Sequence, residues 1–537
     1  MSKFTSILRK PDYVYGMTEN TPLRFEEKVQ DECPIKYDLE FTGKSVKVIV
    51  HPSGSPVKYL KLRYSGDFRG VEKVYGDNWE RCGLNAYIEW RSVMAGRVLP
   101  WFCFLLRDNE MACYGVKTGG DAFSYFQVDA HGITLFINLC CGNEGADIKE
   151  SIMACEIVEL FEDASEPYVT ANKFAKMMCD NPVLPKEPIM GFNNWYWAYG
   201  DISFESVLAE TDMLLEYTKG CKHKPYMIID DGWQEYRVIE GSTNGGPWLP
   251  NHKFGDMKKM SDAIHAKGAK SGIWFRPLLT HEQVPEEVLF MNCNNNLVMD
   301  PSHPYTLKKV YEDTKRIADW GFDLIKHDFT TIDGFGQQWL TADRQDFQLC
   351  APNIKYYDKT KTSAMIYKNL YKLIQDAAGD AEVIGCNAVG HLVAGIHSVY
   401  RTGNDTSGTA WEWSRRDGVN SLVRTFLNNA FYNADPDCAP FTEKVDVDIN
   451  LDYLEVCALT GMTTLASVTP NFLNEEQIKR MNAIFRMADE DKHRYIIKDF
   501  ANNANPEIFA SPDGKDVKEF DWTRVYNGAR SALDWME

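Results

Sequence analysis

Three short segments combine residue types that can do chemistry together. Asp230 and Asp231 stand side by side in "YMIIDDGW", Lys326 and Asp328 flank His327 in "LIKHDF", and Arg401 precedes Asp405 by four residues in "YRTGND". Each cluster follows a short apolar run. Like charges repel, and a carboxylate at the end of a buried run is costly unless it is paired. Paired carboxylates suit two tasks: accepting hydrogen bonds from neighbouring hydroxyls, and acid, base or nucleophilic work on a bond between them. Asp328 and Asp405, each just past a short apolar run, make the best catalytic pair. Lys326 offsets the charge of Asp230 and Asp231.

Other apolar runs end in the same way. Asn193, Asn194 and Trp195 close one, and Trp233 follows the aspartate pair. Trp274 and Arg276 close another, and Cys386 and Asn387 a fourth. Carboxylates, a lysine and aromatic rings in one cup fit a sugar, whose hydroxyls want acceptors and whose C–H faces want a flat apolar wall. Cleavage of a glycosidic bond needs two carboxyls, and a pair about 5–5.5 Å apart gives retention through a covalent intermediate.

The elements that would position these residues are legible from period. From about Tyr37 to Glu162 short, often alternating apolar runs are separated by Gly, Asp and Asn turns, as in "VKYLKLRYSG" and "FSYFQVDAHGITLFINL". This is an antiparallel pattern, most simply a β-sandwich. After about Tyr168, compact apolar runs alternate with amphipathic stretches such as "FESVLAETDMLLEYTKG", "YTLKKVYEDTKRIADWG" and "SRRDGVNSLVRTFLNN". About eight strand–helix units suggest a closed (β/α)8 TIM barrel, whose reactive groups gather at the C-terminal strand ends. A doubly wound open sheet is the structural alternative. The expected domains are a sandwich over 1–165, a barrel over 166–491 and a short C-terminal appendage over 492–537.

The bulk numbers agree with an ordinary globular protein. The chain has 537 residues, 44% hydrophobic and 25% charged, with a formal net charge of -19. That balance argues against a nucleic-acid partner, which wants a basic face. No apolar run reaches the roughly 18 residues of a membrane span. "MSKFTSILRKPDYVYG" lacks the apolar core of a secretory signal. The 14 cysteines show no C-x-x-C, so they read as reduced, mostly buried thiols. A cytoplasmic location is the expectation. "DVDINLD" from Asp446 lacks the glycine of a calcium loop, and "HEQVP" at His281 lacks the second histidine of a zinc helix.

"YMIIDDGW", "GIWFRP", "LIKHDF" and "YRTGND" together resemble the motif series of the α-galactosidase clan, glycoside hydrolase families 27 and 36. A sandwich ahead of the barrel resembles family 36 and its raffinose-synthase-like branch. The resemblance covers roughly residues 185 to 470. It implies Asp328 as nucleophile and Asp405 as acid/base, with Arg401 holding the acid/base. Asp230 and Asp231 would bind O4 and O6 of a galactose-type ring. Trp195, Trp233 and Trp274 would line the cup with Lys326, and Cys386 and Asn387 would lie where the clan reads the 2-substituent. Asp405 would carry a raised pKa, as a proton donor needs. The implied activity is that of a retaining, exo-acting α-galactosidase-like hydrolase acting on a small carbohydrate, with no cofactor and no metal. Three alternatives stay open: an α-galactosyltransferase of the raffinose-synthase type, an α-N-acetylgalactosaminidase, and a non-catalytic carbohydrate-binding barrel. The acid/base segment departs from the clan's doubled aspartate, and the clan's usual C-terminal β domain is almost missing. The oligomeric state is not legible.

Overall fold

The computed structural model describes residues 4–21, 33–81, 87–89, 97–235, 244–337, 349–490 and 494–525. The N-terminal half contains two antiparallel sheets, of five and seven strands. Their strands alternate as a half-buried sheet must: along Val46–Val50 every second residue is fully buried, and within Val57–Ser65 the period holds from Leu60 through Leu62 to Tyr64. A strand at Tyr13–Thr18, ahead of the expected region, pairs antiparallel with Val57–Ser65.

The second half is built on nine parallel strands: β1 (Met190–Asn193), β2 (Tyr226–Ile229), β3 (Lys270–Phe275), β4 (Leu324–His327), β5 (Glu382–Gly385), β6 (Val399–Arg401), β7 (Asn433–Asp435), β8 (Ala439–Phe441) and β9 (Thr464–Val468). Neighbours follow chain order from β1 to β7, while β9 pairs with both β1 and β8. Because β7 and β8 lie in one run of chain, broken only at Pro436–Cys438, the sheet's two edges meet. This is a TIM barrel, and it excludes the open doubly wound sheet. Eight units were expected; the ninth strand comes from splitting the seventh.

The strands are short and nearly wholly buried, as strands covered on both faces are. In β1, Gly191 has φ +151, and a Cβ there would lie 2.0 Å from the Tyr226 carbonyl oxygen. Only glycine allows β1 that close to β2. Local capping fixes the helices between. Ser203 forms a capping box at Phe204–Tyr217, and Asp446 accepts from the Ile449 N–H at Val447–Thr460. The calcium-like "DVDINLD" is thus a helix start.

Two segments differ from the periodic reading. The helix expected over "SRRDGVNSLVRTFLNN" is a π-helical turn, Ser414–Gly418, followed by a 3-10 helix, Val419–Leu427. Every residue of the latter is buried, so packing on several sides overrides a one-faced helical period. An unanticipated α-helix, Pro167–Met178, starts with proline at its first turn and buries Tyr168, Ala171, Phe174, Ala175 and Met178. Its Phe174 ring packs edge-on against Phe104 of the sandwich, centroids 6.1 Å apart. Near the C-terminus, Ile496–Ile497, Ile508–Ala510 and Val517–Glu519 form a small antiparallel sheet. The described cysteines are all free thiols, most of them buried. Among the described residues no helix is long and apolar enough to cross a membrane.

Candidate active site

The aspartate pair sits where β2 ends. Asp230 accepts from Lys326 Nζ at 2.8 Å and from Asn193 Nδ2 at 2.7 Å, and its own N–H donates to Asn194. Asp231 accepts from Gln234 Nε2 at 2.6 Å. Both side chains are therefore charge- or hydrogen-bond-compensated, which is how two adjacent carboxylates tolerate burial. Gly232, at φ +122, turns the chain sharply after them. That turn carries Trp233 away from the cup. Its ring is fully buried against Trp248 and Trp320, and its indole N–H donates to the Trp274 carbonyl. Trp233 is thus a core residue that braces β3, a correction to its expected place in the lining.

Asp328, just past β4, accepts from Trp274 Nε1 at 3.1 Å and from the Phe329 N–H at 2.8 Å. With the Asn387 amide oriented to satisfy its neighbours, Asn387 Nδ2 also donates to Asp328 Oδ1 at 2.6 Å. Burial opposes its charge, but the fields of Arg81 and Lys326 prevail and hold the carboxyl below the usual range. Trp274 meets Asp328 through its N–H and is itself buried. Trp195 is half-buried, with its ring edge-on to Tyr199.

Asp405, four residues past β6, is 58% exposed at its side chain. It accepts from Arg401 Nη2 at 3.1 Å and from Arg81 Nη1 at 2.7 Å. Partial desolvation by the surrounding protein acts upward, yet the two guanidinium groups outweigh it and lower the Asp405 pKa. The expectation of a raised value is corrected here: Arg81, from a remote part of the chain, adds a second positive charge. Cys386 lies between them, its Sγ 3.5 Å from Arg401 Nη1 and 3.8 Å from Arg81 Nη1. Burial pushes its thiol pKa up.

Arg401 is anchored from behind. Its guanidinium forms an ion pair with Asp437, in the break between β7 and β8, and Asp437 also accepts from the Tyr196 hydroxyl and, at 2.8 Å, from the Thr406 N–H. Burial pushes the Asp437 carboxyl up despite Arg401. Asp437 escaped sequence reading although it stands at a strand end, the same signal that marked the others. Arg81 and Tyr196 had no such signal.

Behind Asn194 lies Glu210, whose Oε2 accepts from Trp197 Nε1 at 3.1 Å. Burial raises its pKa to about 8. The folded chain therefore keeps a proton that the unfolded chain sheds near pH 4.3. The sign follows from linkage: this group's stabilisation is complete at low pH and is lost as pH rises toward 8. Glu210→Gln is expected to flatten that decline. Thermal unfolding midpoints of both proteins between pH 5 and 8 check it; parallel curves would refute it.

Two linked carboxylates and a lysine–aspartate pair thus lie together at the C-terminal ends of the barrel strands. No family model matches the chain. It is 28% identical over 147 residues to an α-galactosidase of Oryza sativa subsp. japonica, covering 27% of this chain and 30% of that protein. It is 25% identical over 146 residues to α-galactosidase A of Cellvibrio japonicus, covering 27% and 31%. The matches thus span about a third of these curated relatives. Among solved structures, the α-galactosidase of Thermus thermophilus in complex with p-nitrophenyl α-D-galactopyranoside superposes with a TM-score of 0.61 at 15% identity, over 90% of this chain and 95% of that one. A family 36 α-galactosidase of Geobacillus stearothermophilus gives 0.53 at 15% identity, over 89% and 71%. At such identities the structural likeness is one of fold. The matched stretches resemble those α-galactosidases in sequence, and the whole chain shares their fold, a sandwich ahead of a barrel.

Proposed function

We propose that the chain is a retaining, exo-acting α-galactosidase-like glycoside hydrolase. One observation carries the reading. Asp328 and Asp405, 77 positions apart, face one guanidinium: Arg81 Nη1 donates to Asp405, while Arg81 Nη2 donates at 2.9 Å to the Asn387 amide that bonds Asp328. Two carboxyls so linked, beside Asp230, Asp231 and Lys326, suit cleavage of a terminal glycosidic bond. The α-galactosidase relatives and the aryl galactoside held by the Thermus protein support a galactose-type substrate.

In this mechanism Asp328 Oδ displaces the aglycone oxygen from the anomeric carbon, and a proton on Asp405 passes to that oxygen. Asp405, now a base, takes a proton from water, whose oxygen displaces Asp328. The low pKa of Asp328 suits attack. The low pKa of Asp405 suits the base step, so the first step needs a substrate-bound site in which Asp405 regains its proton.

The test is a panel of aryl α-galactoside, α-N-acetylgalactosaminide and α-glucoside, with proton NMR of the first product formed. Release of α-galactose from the galactoside is expected, and β-galactose as the first product would exclude retention. Adding sucrose as acceptor separates hydrolysis from transfer by its trisaccharide product.

A further inference from the structure

The two carboxylates of the cup are tied together by a residue outside the barrel. Arg81 belongs to the loop after the sandwich strand Lys73–Gly76. Its neighbours clamp that loop onto both barrel loops that carry the reacting groups. Asp77 pairs with Arg424, whose Nη1 donates to the Thr402 carbonyl beside Asp405 and whose Nε lies 2.8 Å from Asp77 Oδ1. The Glu80 carboxylate accepts from the Thr331 hydroxyl, three residues past Asp328. Trp79 is wedged edge-on against Trp101 and Phe123, each centroid 5.3 Å away. Arg81 is thereby held with only 4% of its side chain exposed, and its planar fork serves two acceptors at once: Asp405 by Nη1, the Asn387 oxygen by Nη2 and Nε.

We propose that Arg81 is a positioning residue of the sandwich that sets both the aim and the charge of the barrel's two reacting carboxylates. The inference rests on the hydrolase reading of the same cup. Its geometry has an electrostatic consequence. Asp405 faces Arg81, Arg401 and Lys326 on the positive side, and Asp328, Asp437, Asp417, Tyr196 and Tyr199 on the other. Asp328 faces Arg81, Lys326, Asp405, His327 and Cys386. Arg81 is the first positive charge acting on each carboxylate. Removing it leaves Asp405 with Arg401 and Asp328 with Lys326, so both titrations move upward. The sandwich then belongs to the catalytic unit: without its loop, barrel groups would titrate elsewhere and the Asn387 oxygen would lose its Arg81 donors.

The experiment compares the full-length protein with Arg81→Met and Arg81→Lys on an aryl α-galactoside across pH. For Arg81→Met, kcat/KM at its optimum is expected to fall by about 10²-fold, as for a small misplacement of reacting groups. Both limbs of its pH profile should move to higher pH, and Arg81→Lys should return them part of the way. A profile scaled down with both limbs unmoved would overturn the proposal, since a merely structural loss does that. A substrate-free readout separates this from failure of the hydrolase reading. The loss of unfolding stability as pH falls from about 5 to 3 should be shallower in Arg81→Met, because depressed carboxylate pKa values contribute stability above the unfolded value. If the natural protein cleaves nothing, the hydrolase reading fails, and equal slopes would then sink the role of Arg81 as well.

Discussion

Asp328→Asn is expected to lower kcat on an aryl α-galactoside by about 10³-fold or more, a rise of about 4 kcal/mol in barrier. Asparagine keeps the size of the side chain, and its Oδ1 can still accept from the Phe329 N–H or from Trp274, now 2.8 and 3.1 Å from the carboxylate. What it loses is the anion. Arg81 and Lys326 hold Asp328 ionised against the cost of its burial, and that charge is what a displacement at carbon needs. An amide in its place also faces two cations with a weaker acceptor, so a small loss of stability should accompany the loss of rate. Thermal unfolding of the variant alongside its kcat separates the two. Turnover within tenfold of the natural protein, from a folded variant, would remove Asp328 from the nucleophile role.

The barrel was legible because most of its strands are short, begin apolar and end abruptly in polar residues. The rule that chemistry collects at those terminations placed Asp230, Asp231, Lys326, Asp328, Arg401 and Asp405 at one rim. The same rule reached Asn387, whose amide bonds Asp328. It failed where a turn redirects a side chain. Trp233 follows the aspartates in sequence, but Gly232 sends it into the core. It also failed at the split seventh strand, since a three-residue break looks like the end of one strand rather than a joint between two. Asp437 sits in that joint with φ +81 and pairs with Arg401. No local pattern marks Arg81, because its role comes only from docking a sandwich loop on the barrel. The shifted titration of Asp405 was missed for the same reason: sequence showed one arginine beside it and structure brings two.

The polar groups behind the cup share a physical logic. Four buried charges have a partner of opposite sign on another strand or loop: Lys326 for Asp230, Arg401 for Asp437, Arg424 for Asp77, Arg276 for Asp333. Such pairs contribute little net stability over apolar packing, but losing one partner is expensive. They hold neighbouring strand ends in fixed relation, which the proposed two-carboxylate mechanism requires.

Arg276→Met tests that logic at its deepest pair. Arg276 Nε and Nη2 grip Asp333 at 2.8 and 2.5 Å, and Nη1 donates to Asn244. Both side chains of the pair are essentially unexposed. Among the described residues, removing the cation leaves the Asp333 carboxylate with Asn292 Nδ2 at 2.9 Å as a close side-chain donor. The expected cost is about 3–5 kcal/mol of stability, read as a lower denaturant midpoint. Activity should fall too, for a second reason. The Arg276 guanidinium lies 4.1 Å from the centroid of the Phe329 ring, and Phe329 occupies the left-handed region at φ +62. A bulky residue holds that conformation at a cost of about 1–3 kcal/mol, persisting only where its surroundings impose it. Its N–H bonds Asp328, so relaxing Phe329 would swing the proposed nucleophile. The double variant Arg276→Met/Asp333→Leu discriminates the two effects. Stability should largely return, since no charge is left unpaired, while kcat should stay low because nothing holds the Phe329 ring. Recovery of both together would show that the pair acts on the fold alone, and a single variant within about 1 kcal/mol of the natural protein would show that the buried carboxylate is compensated by other groups.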